Sequence, residues 1–229
     1  MRDLIKEYIE IAVNNMELPE PIYEFGARQP DGQEDFADLR PYFEGKKYVG
    51  CDYEDGLGVD KVLDLHNIDI QDETVGTLLM FDTLEHVKYP YKALKEIHRV
   101  LKQGGVVIMS SVMDFPIHSA PYDYWRFTPE AFKSLLENFD DNLVVASGYD
   151  DFPHTLIGIG VKGQWNNKKL MEDSSNNWKN KWDNKEVICA LQSKITILKE
   201  QINFLKQKRK ENLFNKLKHE YNRFIKKLF

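Results

Sequence analysis

The stretch PIYEFGARQPDGQEDFADLRPYFEGKKYVGCDYEDGLGVD, residues 21–60, decides the fold that the sequence predicts. It contains two short runs of aromatic and β-branched residues, at 22–25 and 48–51, which are typical of strands. Gly26 ends the first run and Asp52 follows the second. In an open α/β sheet, such a glycine lets the backbone approach a nucleoside, and such an acid accepts hydrogen bonds from its ribose hydroxyls. The stretch therefore predicts a nucleoside site at the carboxyl ends of two strands.

Helical and strand-like patterns alternate through the first 163 residues. Helical spacing occurs at residues 2–16, 34–43 and 90–101 and from 128 onward, and strand-like runs occur at 59–65, 77–81, 106–110, 143–146 and 156–161. The last two runs are too close for a helix between them, so we expect them to pair antiparallel. The order predicts an α/β, Rossmann-like domain over residues 1–163, with a mostly parallel seven-stranded sheet that ends in an antiparallel hairpin.

The composition is that of a soluble globular protein. Of 229 residues, 42% are hydrophobic and 30% are charged, and no run approaches the ~20 apolar residues that a membrane span requires. The N-terminus lacks the apolar region of a signal peptide. Because the two cysteines, Cys51 and Cys189, lie in very different segments, we expect no disulfide and a cytoplasmic location. Cys51 is either a reactive thiol or a small residue that packs in the core.

Charge is distributed unevenly along the chain. Residues 206–229 contain nine basic and two acidic side chains, which leaves 22 basic and 35 acidic side chains in the first 205 residues. An acidic body argues against nucleic acid as a partner, whereas the basic end suits an anionic surface or partner.

The C-terminal third has a different character from the α/β domain. Residues 164–184 are rich in Asn, Lys and Ser, which predicts a linker or mobile flap. Residues 185–229 are predicted to form an α-helical coiled-coil extension, which either makes a homo-oligomer or docks on the domain. Its last part predicts a basic amphipathic helix, suited to peripheral contact with the inner face of a membrane, to a partner protein or to an oligomer seam. The apolar positions with heptad-like spacing are Ile188, Leu191, Ile195, Leu198, Ile202 and Leu205.

Four segments, in this order, resemble class I S-adenosylmethionine-dependent methyltransferases. They are YEFGARQPDG (23–32), YVGCD (48–52), LLMFDTLEHV (78–87) and ALKEIHRVLKQGGVVIMSS (93–111), and the resemblance covers roughly residues 20–162. With DYWRFTPEAF (123–132), they look most similar to a bacterial branch associated with surface-polysaccharide and glycan biosynthesis. The resemblance implies the methyltransferase fold, S-adenosyl-L-methionine as cofactor, and methyl transfer as the activity.

The resemblance also implies which residues bind the cofactor. Gly26 would approach its amino-acid end, Asp52 would bind the ribose hydroxyls, and Tyr53 would form a wall of the adenine pocket. Asp52 could instead be a surface turn acid. Asp82 and Thr83 would face the methionine portion and the reaction centre. The full set is Glu24, Gly26, Ala27, Arg28, Asp52, Tyr53, Asp64, Leu65, Asp82 and Thr83, in which Asp64 and Leu65 would line the adenine.

Methyl transfer to a hydroxyl needs in-line positioning and a base. The candidate bases are His86, Asp114 and His118, and Asp82 lies at the expected reaction centre. We favour His118, in the long loop after the fifth strand, although it could simply bind backbone there. The alternative for His86 is a structural role at the start of a helix.

The loop after the fifth strand is the expected acceptor site. Its aromatic faces beside carboxylates suit a sugar ring, so the predicted acceptor is a glycan or another small polar molecule. Trp125 could equally anchor the loop to the core. No spacing demands a metal, and we expect none. The predicted substrate-binding residues are Asp114, His118, Tyr122, Asp123, Tyr124, Trp125 and Arg126.

The first glycine loop departs from the family pattern. The family usually has two or three glycines there, whereas Gly26 is followed by Ala27, Arg28 and Gln29. Arg28 is expected to reach a carboxylate, either the cofactor's or that of Glu24. The departure motivates an alternative, in which the domain is an inert scaffold assembled through its helical tail. A nicotinamide oxidoreductase is disfavoured because no GxGxxG follows the first strand.

Overall fold

The computed structural model describes residues 2–29, 32, 37–118 and 122–183. Within these residues, seven strands form one sheet. In chain order they are β1 (Ile22–Phe25), β2 (Tyr48–Asp52), β3 (Lys61–Val62), β4 (Val75–Met80), β5 (Leu101–Val112), β6 (Asp141–Tyr149) and β7 (Phe152–Lys162).

The spatial order of the strands is β3-β2-β1-β4-β5-β7-β6. Strands β1 to β5 run parallel, and β7 pairs antiparallel with both β5 and β6. This confirms the predicted mostly parallel sheet with a terminal hairpin. Chain order reverses between β1 and β4, and ligands of open α/β sheets bind at the carboxyl ends of the strands beside such a reversal.

Helices cover both faces of this sheet. Helix α2 begins at Pro90, where the missing N–H costs nothing, and α3 begins after Thr128, whose Oγ1 accepts a hydrogen bond from the Ala131 N–H at 3.2 Å. The helices of the described residues are α1 (Asp3–Asn15), α2 (Pro90–Val100), α3 (Pro129–Leu135) and α4 (residues 168–183), with 3₁₀ turns at Arg40–Phe43 and Leu84–His86.

Three predicted element boundaries were wrong. A helix was predicted at 34–43, and the structure describes residues 37–43 of it. Residues 37–39 are not helical, and Arg40–Phe43 forms a 3₁₀ turn. The third strand is limited to Lys61–Val62. The strand predicted at 106–110 begins earlier, because α2 ends at Val100 and Leu101 starts β5 by pairing with Val75.

The core has two parts, one on each face of the sheet. Ile97 of α2 and Phe132 of α3 belong to one apolar cluster, whereas Ile9 of α1 and Trp178 of α4 belong to the other. Cys51 is buried in the first cluster, and burial raises the pKa of its thiol to about 12. Cys51 is therefore a packing residue rather than a reactive thiol.

Helix α4 replaces the predicted linker or flap. Trp178 is only 1% exposed, its Nε1 donates a hydrogen bond to the Leu4 carbonyl at 2.9 Å, and its ring meets Tyr8 edge-on at 5.1 Å. The polar composition concealed a buried stripe, because Met171, Trp178 and Trp182 recur at helical spacing. The first compact unit accordingly extends to Asp183 rather than to residue 163.

The predicted coiled coil and basic tail, residues 185–229, lie outside the described residues. They fall in a second unit, Asn184–Phe229. Among the residues that the structure describes, no helix has the length and apolar character needed to span a membrane.

Candidate functional site

Gly26 forms the turn at the carboxyl end of β1. Its φ of +85° lies in the left-handed region, and a Cβ at this position would overlap Oγ1 of Thr83, just after β4. Its N–H donates to the Cys51 carbonyl of β2 at 3.0 Å. The turn is thus held between the ends of β2 and β4 and presents a backbone without a side chain.

Asp52, at the end of β2, has a lightly bonded carboxylate beside this turn. It accepts hydrogen bonds from the backbone N–H groups of Arg28 and Glu54, both at 3.3 Å. A carboxylate has about four acceptor sites, so two ribose hydroxyls can still bind. The next side chain, Tyr53, is half-exposed.

Two other predicted residues of the first loop differ in exposure. The Arg28 guanidinium pairs with Glu54, two residues after Asp52, at 2.8 Å and not with Glu24. Ala27 is buried. Of these two side chains, only that of Arg28 is therefore accessible beside the end of β2.

Glu24 lies within β1, behind the edge. Its carboxyl group is buried and accepts a hydrogen bond from the Tyr48 hydroxyl. Burial raises the pKa of Glu24 to about 7, although the Tyr48 hydrogen bond and Arg40 oppose this effect. Its contacts support the strands beneath the site.

Asp64 and Leu65 follow β3. Asp64 accepts hydrogen bonds from the backbone and the Nδ1 of His66, both at 2.8 Å; these lower its pKa against the opposing effect of burial. Leu65 is buried and packs in the core. Asp64 is therefore the more accessible of the two residues.

Asp82 is the centre of a network at the ends of β4 and β5. Its φ of +47° is unusual for a residue with a side chain. Ser110 Oγ donates to its Oδ1 at 2.8 Å, and Arg2 forms two hydrogen bonds with its carboxylate, at 2.7 and 3.1 Å. Arg2 also bonds to Thr155 of β7. The start of α1 is thereby tied to the middle of this edge.

Glu85 is a buried carboxyl beside Asp82. It is 1% exposed and accepts a hydrogen bond from Ser111 Oγ at 2.6 Å. Burial, followed by the nearby Asp82, raises the pKa of Glu85 to about 7. Its backbone carbonyl accepts hydrogen bonds from the N–H groups of Tyr124 and Trp125, at 2.7 and 3.2 Å. Glu85 therefore joins the end of β4 to the predicted acceptor loop.

The two predicted bases, His86 and His118, lie together. Their ring centroids are 4.8 Å apart in an edge-to-face arrangement. His86 Nδ1 donates to the Tyr122 carbonyl at 2.6 Å, and burial lowers the pKa of His86. His86 thus helps to hold the acceptor loop.

Asp123 orders that loop from inside. Its side chain is only 4% exposed, and it binds the Arg126 guanidinium through both oxygens, at 2.5 and 2.7 Å. It also accepts from the His118 backbone N–H at 2.9 Å, and Arg126 is the main cause of its lowered pKa. The other predicted acid, Asp114, is exposed.

The three aromatic rings predicted to bind the acceptor, those of Tyr122, Tyr124 and Trp125, are exposed. The Trp125 Nε1 also donates to the Val87 carbonyl at 3.0 Å, so this residue anchors the loop while part of its surface remains open. Trp125 and Arg126 line a cavity of about 900 Å³ beside α2 and α3. The other lining residues are Lys88, Tyr89, Pro90, Tyr91, Lys92, Phe127, Thr128, Ala131 and Leu135.

Sequence reasoning missed part of the network around Asp82. Three of its members, Glu85, Ser110 and Ser111, lie within the segments that resemble methyltransferases. Their polar side chains in or just after apolar strands could have indicated a buried network. Arg2 gave no signal, because it lies 80 residues from Asp82.

Comparison with known proteins finds similarity to methyltransferases. A family described as "Methyltransferase domain" matches residues 38–109. An S-adenosylmethionine-dependent methyltransferase from Archaeoglobus fulgidus has a similar structure, with a TM-score of 0.53, 14% identity, and coverage of 71% of this chain and 95% of that chain. The search of curated proteins found no match.

A second similar structure carries a product of the cofactor. The 1,6-didemethyltoxoflavin-N1-methyltransferase of Burkholderia thailandensis was solved with 1,6-didemethyltoxoflavin and S-adenosylhomocysteine. It has a TM-score of 0.53 and 16% identity, and the match covers 71% of this chain and 79% of that chain. At such identities, the likeness shows the fold. Together, the family match and the fold support S-adenosylmethionine as the cofactor, and the described residues have the class I, Rossmann-like methyltransferase fold.

Proposed function

We propose that this protein transfers a methyl group from S-adenosylmethionine to a hydroxyl of a glycan or another small polar acceptor. The observation that carries the proposal is the pairing of the Gly26 turn with the Asp52 carboxylate at adjacent strand ends. The methyltransferase family match, which includes Asp52 and Asp82, adds independent support.

The cofactor would lie across the ends of β1, β2 and β4. The Gly26 backbone can approach its amino-acid end closely, because a side chain at that position would fill the space against Thr83. Asp52 would hold the ribose, and Tyr53 and Asp64 would border the adenine. When bound, S-adenosylmethionine supplies an electrophilic methyl group, so the protein's main task is to position the acceptor in line with it.

The inert-scaffold alternative is not favoured. It rested on the missing second glycine after Gly26, yet the turn keeps its left-handed backbone and its close packing against Thr83. The backbone shape that a cofactor needs is therefore retained with one glycine.

A hydroxyl acceptor must lose a proton, and His118 is our candidate base. Its Nδ1 lies 3.2 Å from Asp123 Oδ2, which leaves Nε2 as the nitrogen able to accept a proton. Asp82, bound by Arg2 and Ser110, would keep the reaction centre rigid.

The acceptor would contact the exposed faces of Tyr122, Tyr124 and Trp125. Aromatic faces suit the apolar side of a sugar ring, and two lysines, Lys88 and Lys92, border the adjacent cavity together with Arg126, whose charge Asp123 neutralises. This arrangement favours a sugar that carries an anionic group. It also supports, as a finer proposal, membership of the surface-polysaccharide branch.

The test is acceptor-dependent formation of S-adenosylhomocysteine. The full-length protein is incubated with S-adenosylmethionine and a panel of neutral sugars, sugar phosphates and nucleotide sugars. We expect turnover with an anionic sugar, and a strong loss of turnover in Asp52→Asn but not in the surface control Asp140→Asn. Turnover that is absent with all sugars, but present with an amine or a protein acceptor, would refute the sugar assignment.

Two further proposals rest on sequence alone. Residues 185–229 would make a homo-oligomer, and their basic end would bring a cytoplasmic protein to an anionic membrane surface. Light scattering on residues 1–183 should give a monomer that still binds cofactor, and an unchanged oligomer would contradict this.

The membrane proposal is tested by co-sedimentation of the full chain with anionic liposomes. Binding that does not weaken as salt is added would contradict electrostatic attraction to the membrane.

A further inference from the structure

Three side chains with metal-ligating atoms converge beside the acceptor loop. Glu85 and His86 lie on the 3₁₀ turn after β4, and His118 lies on the loop after β5. One ligand atom from each residue falls within 4.8 Å of those of the other two. No other such group of three His, Cys, Asp or Glu residues is found in the described part of the chain.

Both histidines are oriented in the way that metal ligands require. His86 Nδ1 donates to the Tyr122 carbonyl at 2.6 Å, and His118 Nδ1 donates to the Pro116 carbonyl at 3.2 Å, with an Asp123 carboxylate oxygen also 3.2 Å away. A metal-ligating histidine almost always donates its second nitrogen to a carbonyl or a carboxylate, which fixes the ring and its tautomer. In both rings, Nε2 is the nitrogen that remains for a metal.

Glu85 supplies a buried carboxylate without a close cation. Ser111 donates one hydrogen bond to it, and no ion pair to Glu85 is found among the described residues. Among these residues, the two cations that influence Glu85 electrostatically are each bound to another carboxylate, Arg2 to Asp82 and Arg126 to Asp123. A buried carboxylate is costly unless it is paired or coordinates a metal.

We propose that Glu85, His86 and His118 bind one divalent transition-metal ion, of which Zn²⁺ is the best match. Two imidazoles and one carboxylate form a set that Zn²⁺ and other borderline ions accept, whereas Mg²⁺ and Ca²⁺ prefer oxygen ligands alone. Ligands of a tetrahedral Zn²⁺ site lie about 3.4 Å apart, given bonds of about 2.1 Å. The ligand atoms lie up to 4.8 Å apart, so they would have to approach by up to about 1.4 Å, and His118, on a partly exposed loop, can supply most of this shift.

The site would have an open coordination position, because three protein ligands leave a fourth for water or substrate. This consequence rests on the proposed function: when bound, the ion would lower the pKa of an acceptor hydroxyl at that position, and the hydroxyl proton would pass to solvent water. His118 would be a ligand in the metal-bound protein, and it remains the candidate base in the metal-free protein. A bound ion at this site would contradict the expectation, drawn from the sequence, that the protein binds no metal.

The test uses Zn²⁺ alone, so its outcome does not depend on whether the protein binds S-adenosylmethionine. Full-length protein is stripped with a chelator, dialysed and titrated with ZnCl₂ in a calorimeter. We expect one ion per chain, with affinity at least about tenfold lower in His118→Gln and in Glu85→Gln. His118→Gln is the primary variant, because a half-exposed loop residue can change without unfolding the core.

His66→Gln is the matched control. His66 also pairs its Nδ1 with an aspartate, Asp64, at 2.8 Å, but it belongs to no group of three ligands. The His66→Gln substitution should leave Zn²⁺ affinity unchanged. A Co²⁺ titration adds a spectroscopic check, since the visible bands of the bound ion should disappear in His118→Gln. Wild-type protein that binds no stoichiometric Zn²⁺, or His118→Gln that binds it as tightly as wild type, would overturn the proposal.

Discussion

The two halves of the sheet's carboxyl edge are built in different ways. At the ends of β1 and β2, the first half presents a bare Gly26 backbone and a carboxylate, Asp52, whose two hydrogen bonds are long. At the ends of β4 and β5, the second half is a dense network in which Asp82 is bound by Arg2 and Ser110. The first half is shaped by backbone, and the second by buried side chains.

This difference separates two tasks. A cofactor site needs close backbone approach and a carboxylate with spare acceptor sites. A reaction centre needs groups that do not move when the acceptor binds, and buried hydrogen-bond networks provide that rigidity. Cofactor binding at the first half should therefore be sensitive to side-chain atoms added at Gly26. The stability of the second half should be sensitive to the loss of a hydrogen-bond partner of Asp82.

The largest effect is expected from Gly26→Ala. The left-handed φ of +85° and the overlap with Thr83 Oγ1 should displace the turn and lower S-adenosylmethionine affinity by about 100-fold or more. Gly45→Ala is the matched control, because Gly45 has a φ of +79° but nothing lies within 4 Å of a Cβ there. Fluorescence titration with the cofactor compares the two. Equal affinity in both variants would contradict the role of close packing in the first half.

A smaller effect, dependent on pH, is expected from Glu24→Gln. The pKa of Glu24 is raised from 4.5 to about 7, so the folded protein holds more protons than the unfolded chain between these values, and stability falls as pH rises through that window. Removing the charge should stabilise the protein at pH 8 by on the order of 1–3 kcal/mol and have little effect at pH 4.5.

Urea unfolding at both pH values measures this effect. Glu137→Gln, at an exposed position, should give no such difference. A Glu24→Gln variant that is less stable than wild type at pH 8 would show that the carboxylate is needed in its charged form.

The smallest effects are expected when the ion pair of each half is broken, by Arg2→Met in the second half and Arg28→Met in the first. Arg2 and Asp82 have side chains that are 22% and 28% exposed, so loss of the pair should destabilise the protein by about 1–2 kcal/mol. The corresponding pair of the first half, Arg28 and Glu54, is 46% and 47% exposed, and Arg28→Met should cost about 0–1 kcal/mol. Thermal unfolding of both variants measures the two losses of stability. A larger loss in Arg28→Met than in Arg2→Met would contradict the comparison.

The sequence predicted the first half better than the second for a physical reason. The Gly26 turn and Asp52 are local features, since each follows directly from a strand end. The network around Asp82 depends on Arg2 and on two serines of β5, which only the folded sheet brings together. The same limit applies to α4, where local composition suggested a linker although Trp178 packs on α1 from 174 residues away.

Isothermal titration with S-adenosylmethionine tests the central claim, that the edge around Gly26 and Asp52 binds this cofactor. We expect one site per chain in the wild type, and affinity about 10- to 100-fold lower in Asp52→Asn, because hydrogen bonds to a charged acceptor contribute about 1.5–3 kcal/mol. Asp140→Asn, at an exposed position, should bind as wild type does. Absence of binding at millimolar cofactor, or equal affinity in Asp52→Asn and wild type, would contradict the account.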